Sequence, residues 1–77
     1  MIALKEAKKL RYGQILYSTQ NFNSDGTAQK WKVIGKPKTW KTRPNKVRVP
    51  VKNELHNCDY LDETKLHLVA FEENKHL

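Results

Sequence analysis

Apolar and polar positions alternate most regularly in the middle of the chain. In residues 29–34, Lys30 and Lys32 fall on one side and Trp31 and Val33 on the other. In residues 46–52, Val47, Val49 and Val51 oppose Arg48, Pro50 and Lys52. A period of two places such sets on opposite faces of a strand, so both segments are expected to be half-buried β-strands. Residues 14–18, entered through Gly13, and residues 38–43, around Trp40, also read as extended, and the run 66–71 is strand-like. Proline in 46–52 suits an edge strand or a bulge.

The breaks between these segments have turn chemistry. Asn23-Ser24-Asp25-Gly26 lies between two strand-like runs, which predicts a tight hairpin at Asp25 and Gly26. Gly35-Lys36-Pro37 and Arg43-Pro44-Asn45 are further interruptions. Asp62 is placed to cap a single helical turn. Ile2, Leu4, Ala7 and Leu10 are spaced loosely like one side of a helix, over a segment short for a free-standing one.

These elements predict a mainly β domain. The expected arrangement is a small Src-homology-3-like (SH3-like) barrel of about five short antiparallel strands, with an open antiparallel sheet and a packed N-terminal helix as the alternative. Residues 1–11 are read as an arm or short helix, 12–71 as the barrel, and 72–77 as a frayed polar tail. Trp31, Val33, Val47, Val49, Leu16 and Leu68 are the expected core.

Charge changes this picture from fold to function. The net charge of +7 is unevenly spread, since residues 29–52 hold nine cations and no acid, while residues 53–77 hold six acids and two cations. A run of like charge is costly to fold unless it faces solvent or a partner. Cations draw phosphate backbones and release their counterions, and an exposed aromatic ring stacks on unpaired bases. Lys30, Lys32, Lys36, Lys38, Trp40, Lys41, Arg43, Lys46, Arg48 and Lys52 are therefore the candidate nucleic-acid-binding residues. Trp31, on the apolar side of its strand, is expected in the core, and Trp40, in step with Lys38, on the basic side. The expected function is binding to the phosphate backbone of DNA or RNA with little sequence preference. The alternative is an adaptor or inhibitor whose basic face docks on an acidic protein, because a basic patch alone does not separate phosphate from carboxylate.

Other chemistries find little footing. A chain of 77 residues supports one thin core and no deep cleft of the kind most enzymes use, so it is read as a non-enzyme. His56, Cys58 and Asp59 are close together, but a structural zinc site needs a second pair of Cys or His ligands, and no cofactor or metal site is expected. Cys58 is read as a small buried apolar group, His56 as a surface loop residue. A lone cysteine allows no internal disulfide, and there is no apolar run of membrane-spanning length or signal-peptide character, so the expected setting is the cytoplasm.

Gly13, Leu16, Tyr17, the Asn23-Ser24-Asp25-Gly26-Thr27 turn, Trp31-Lys32-Val33, Gly35-Lys36, Lys38-Thr39-Trp40-Lys41, Pro44 and Val49-Pro50-Val51-Lys52 together resemble a small, mostly uncharacterised domain of bacteriophage and bacterial genomes. The resemblance implies a phage-encoded accessory protein acting in the host cytoplasm, and brings no activity, cofactor or functional residue with it.

Overall fold

The alternating segments become strands whose apolar sides meet over a single core. The structure, a computed structural model, describes residues 1–73. Among these residues six strands occur, in the order β1 (Ile15–Phe22), β2 (Ala28–Val33), β3 (Lys38–Trp40), β4 (Arg43–Asn53), β5 (Cys58–Asp62) and β6 (Val69–Ala70). All their pairings are antiparallel. Leu16, Val33, Val47, Val49, Val51, Leu61 and Val69 fill the core.

The β1–β2 hairpin forms where Asp25 and Gly26 predicted it, but with a longer connection than a two-residue turn. Phe22 pairs with Ala28, and the loop between them is closed by the Asn23 amide donating to the Thr27 carbonyl at 2.7 Å. Asp25 Oδ1 accepts from both the amide and the hydroxyl of Thr27, at 3.0 and 2.6 Å. Gly26 supplies the left-handed backbone the turn needs, with φ of 86°.

β4 organises the sheet. Its C-terminal part pairs with β2 (Trp31↔Asn53, Lys32↔Lys52, Val33↔Val51) and its N-terminal part with β3 (Lys38↔Arg48, Thr39↔Val47), while β5 runs along its other side. The bend at Gly35 and Pro37 lets one passage of chain serve β4 twice. Pro50 was expected at an edge or a bulge, yet it sits inside this central strand. The reason is geometric: its carbonyl accepts from the Ile34 amide at 3.0 Å, so its donorless nitrogen faces the same side, where the chain bends between β2 and β3 and no ladder partner is missing. The bend also lies against the proline ring. A Cβ on Gly35 would stand 2.8 Å from Pro50 Cγ, so only glycine fits without a shift.

The expected closed SH3-like barrel is not formed. The sheet runs β3-β4-β2-β1-β6 with β5 alone on the far side of β4, and no ladder joins β5 to β6. The run 66–71, expected as one strand, divides into a 3-10 turn at Leu66–Leu68 and the two-residue β6, which reaches only Tyr17 and Ser18 of β1. Two residues are too few to bridge to a further strand. A cavity of about 170 Å³ remains at the gap, lined in part by Ser18, Trp31, Leu61 and Leu68. Trp31 and Leu68 are accordingly half-buried rather than fully enclosed, unlike the other four expected core residues.

No N-terminal helix longer than a single turn is present. Residues 4–7 make a single α-turn (α1, Leu4–Ala7), started by Glu6 Oε1 accepting the Ala3 amide at 2.9 Å. The segment is nonetheless no loose arm. Ile2, Ala7 and Leu10 are fully buried, the Ile2 amide donates to the Leu66 carbonyl at 3.2 Å, and Lys8 Nζ donates to the Pro44 carbonyl. Three apolar side chains at these spacings cover the open side of the core, which a six-stranded sheet without a second layer would otherwise expose. The expected polar tail, 72–77, lies outside the described residues from position 74 onward.

Candidate nucleic-acid interface

Strand periodicity fixes which cations come together. With Val47, Val49 and Val51 in the core, Lys46, Arg48, Pro50 and Lys52 must stand on the opposite, outer face of β4. Residues directly opposite in an antiparallel pair share a face. Lys32 is opposite Lys52, Lys38 is opposite Arg48, and Lys30 is in step with Lys32, so six of the ten predicted residues are cations on one face. Trp40, in step with Lys38, joins them. Lys36 lies in the bend after β2, Lys41 in the β3–β4 turn, and Arg43 beside that turn as the register partner of Trp40. All three are exposed.

Two of these cross-strand pairs, Lys32 with Lys52 and Lys38 with Arg48, set like charges directly against each other, an arrangement that costs stability. Aromatic rings offset part of that cost. Lys38 Nζ lies 5.2 Å, Lys46 Nζ 5.1 Å and the Arg48 guanidinium 6.0 Å from the centre of the Trp40 ring. The negative face of an indole attracts each of them, so one tryptophan holds three mutually repelling cations in place. Arg48 also lies 5.4 Å from the Tyr60 ring, and Lys32 Nζ 5.8 Å from the Tyr12 ring. Ringed by cations, Trp40 is half-buried rather than freely open to solvent.

Among the described residues, none of the nine cations of 29–52 is in an ion pair; the pair that forms is Lys65 with Asp59, at 4.0 Å. The acidic last third does not stand apart from the basic middle, because β5 folds it alongside β4. Asp62 is the register partner of Arg48. Its Oδ1 accepts from the amide and hydroxyl of Thr64, at 2.9 and 2.5 Å. The Thr64 hydroxyl is the main cause holding the Asp62 carboxyl below its ordinary value, and Lys65 and Arg48 act in the same direction. Asp62 thus closes a non-helical turn through Thr64; the helical turn expected to open on it begins later, at Leu66, where Lys65 is the N-cap and no side chain caps it. Glu63 accepts the Val47 amide and Glu54 the Lys30 amide, at 3.1 and 3.0 Å.

The tyrosines were the part of this face that sequence reasoning missed. Tyr12 precedes β1 in a loop, and Tyr60 belongs to a strand too short to show a period.

Cys58 is exposed at the start of β5, on the outer face as partner of Lys52, and not buried as expected. A strand's first residue has only one neighbour to cover it. His56 is a surface residue of the β4–β5 connection, as expected, with a positive φ of 65°. Among the described residues no three His, Cys, Asp or Glu side chains gather as a metal site would require, and no helix is long and apolar enough to cross a membrane.

No protein family, curated protein or solved structure matches the chain. A bacteriophage origin, expected from resemblance, and a specifically DNA-binding assignment therefore have no match behind them.

Proposed function

We propose that this protein is a nucleic-acid-binding module that grips the phosphate backbone with the outer face of β2, β3 and β4. The observation that carries this reading is the pair of like-charge register partners, Lys32 opposite Lys52 and Lys38 opposite Arg48. Like charges set directly opposite are destabilising; Arg48 has Asp62 as its register partner on the β5 side, whereas Lys32 and Lys52 have no acidic register partner on either side. A polyanion converts the same arrangement into a gain, since each phosphate neutralised releases condensed counterions.

The test uses one substitution with opposite expected effects. Lys32→Glu turns a repulsive cross-strand pair into an attractive one, so the fold should become more stable by roughly 0.2–1 kcal/mol. The same change should weaken binding to a fluorescein-labelled mixed-sequence oligonucleotide at low salt, to a similar degree for all sequences, because phosphate contacts position without specifying. A stabilised variant that binds as well as the parent would refute this reading. So would a parent that binds neither DNA nor RNA, an outcome that would favour an acidic protein surface as partner.

A further inference from the structure

Two aromatic rings on the basic face stay open to solvent while carrying a cation each. Tyr12 is 72% exposed and Tyr60 is 56% exposed, with Lys32 and Arg48 respectively beside their rings. Trp40, the residue sequence reasoning offered as a stacking platform, differs from both: its ring is already engaged by three cations and half-buried. Trp40 therefore organises charge, and the free aromatic surface lies with the tyrosines.

We infer that the partner is single-stranded nucleic acid, whose unpaired bases stack on Tyr12 and Tyr60 while the cations between them hold its phosphates. This rests on the nucleic-acid reading above. A duplex keeps its base faces stacked on one another and offers a protein surface only its backbone and groove edges, so exposed rings would gain little from it. A single strand offers both things this face displays, since every base has a π-face and every linkage a charge. A cation beside each ring places charge where the phosphate next to a stacked base would lie.

Spacing is consistent with this. Tyr60 opposes Pro50 across β5 and β4, and Lys32 opposes Lys52 across β2 and β4. Two strand separations sideways and two residues along β4 put Tyr60 about 12 Å from Lys32, the cation next to Tyr12. That span matches about four nucleotides at about 3.4 Å per stacked base. Around Tyr12 the surface is hollowed into a groove of about 340 Å³, with Ile15 and Ile34 giving apolar wall and Lys30, Lys32 and Lys52 giving charge. Glu54 lines the same groove, its Oε1 committed to the Lys30 amide.

The experiment compares three labelled probes by fluorescence anisotropy at low salt: a mixed-sequence 12-nucleotide single strand, its duplex, and an abasic single strand of the same length. The parent should prefer the single strand with bases. Tyr12→Ala and Tyr60→Ala should each lower its affinity about 5- to 150-fold, and leave the duplex and abasic probes within about twofold of the parent. Tyr→Phe at either position should restore most of the loss, because the ring and not the hydroxyl does the stacking. Both side chains are exposed, so circular dichroism should show the fold intact. Equal losses on all three probes, or no loss on any, would overturn the stacking role while leaving phosphate binding in place. A parent that binds none of the probes would remove both proposals together.

Discussion

The salt dependence of binding can be worked out from the register of the sheet. Six cations, Lys30, Lys32, Lys38, Lys46, Arg48 and Lys52, share the outer face and lack an ion-pair partner among the described residues. If all six meet phosphates of a single strand, the logarithm of the binding constant should fall with the logarithm of salt at a slope of about −4.2, from about −0.7 per contact. A fourfold rise, from about 50 to 200 mM, then weakens binding about 300-fold. Replacing Lys38 and Lys46 together by alanine removes two contacts, so the slope should become about −2.8 and the same salt step should cost only about 50-fold. Both side chains lie over the Trp40 ring and neither belongs to the core cluster, so their loss should leave the core unchanged, which a thermal melt checks. The assay is a set of anisotropy titrations at four or five salt concentrations for the parent and the double variant. A parent slope shallower than about −1, or an identical slope in the two proteins, would show that the face does not act as a set of phosphate contacts.

Three further outcomes test the fold. Gly35→Ala should destabilise by about 1–3 kcal/mol in urea titration, since its Cβ would stand 2.8 Å from the Pro50 ring, and Pro50→Ala should relieve part of that loss in the double variant. Leu16→Ala, which empties a fully buried site, should cost about 2–5 kcal/mol, and Ile2→Ala a comparable amount; an Ile2 variant that melts like the parent would mean that the N-terminal turn does not cover the core. Asp62 has a folded-state pKa below its unfolded one, so the stability it contributes is present above the ordinary carboxylate range and lost as pH falls through the folded value. Below about pH 4 the parent should therefore lose stability more steeply than Asp62→Ala, measured by denaturant titration across the acid range.

The parts of the fold legible in the sequence are those where a single residue type alternates over a long run. Val47, Val49 and Val51 announced β4 and the orientation of its cations, and Asp25 with Gly26 announced the first hairpin. Closure was not legible, because it depends on whether the last strand is long enough to reach a partner, and the apolar run at 66–71 carries no mark of where its 3-10 turn ends. Nor was the burial of Ile2, Ala7 and Leu10. Their spacing was visible, but only the open side of the sheet, a tertiary fact, tells that they are needed to cover it. At the candidate site, alternation placed Lys38 and Trp40 on one side, and they lie together there, but Trp40 is half-buried rather than exposed. Its three neighbours, and the more exposed tyrosines, come from pairing across strands far apart in sequence.

An open sheet leaves strand edges that another chain could extend, and β5 shows how this one is guarded. Tyr60 lies opposite Pro50, and since Pro50 turns its backbone groups toward β2, those of Tyr60 turn to the outside. They are not left bare. The amide of Tyr60 donates to Asp59 Oδ1 at 2.7 Å, and its carbonyl accepts from Lys65 Nζ at 3.5 Å. Asp59 and Lys65 thus occupy the donor and acceptor that an incoming strand would use, and hold each other across the same edge. Charged residues in this position are a recurrent protection against edge-to-edge aggregation. Their partnership blunts this edge by means that neither the core nor the basic face supplies, and neutralising both should open β5 to pairing with another strand.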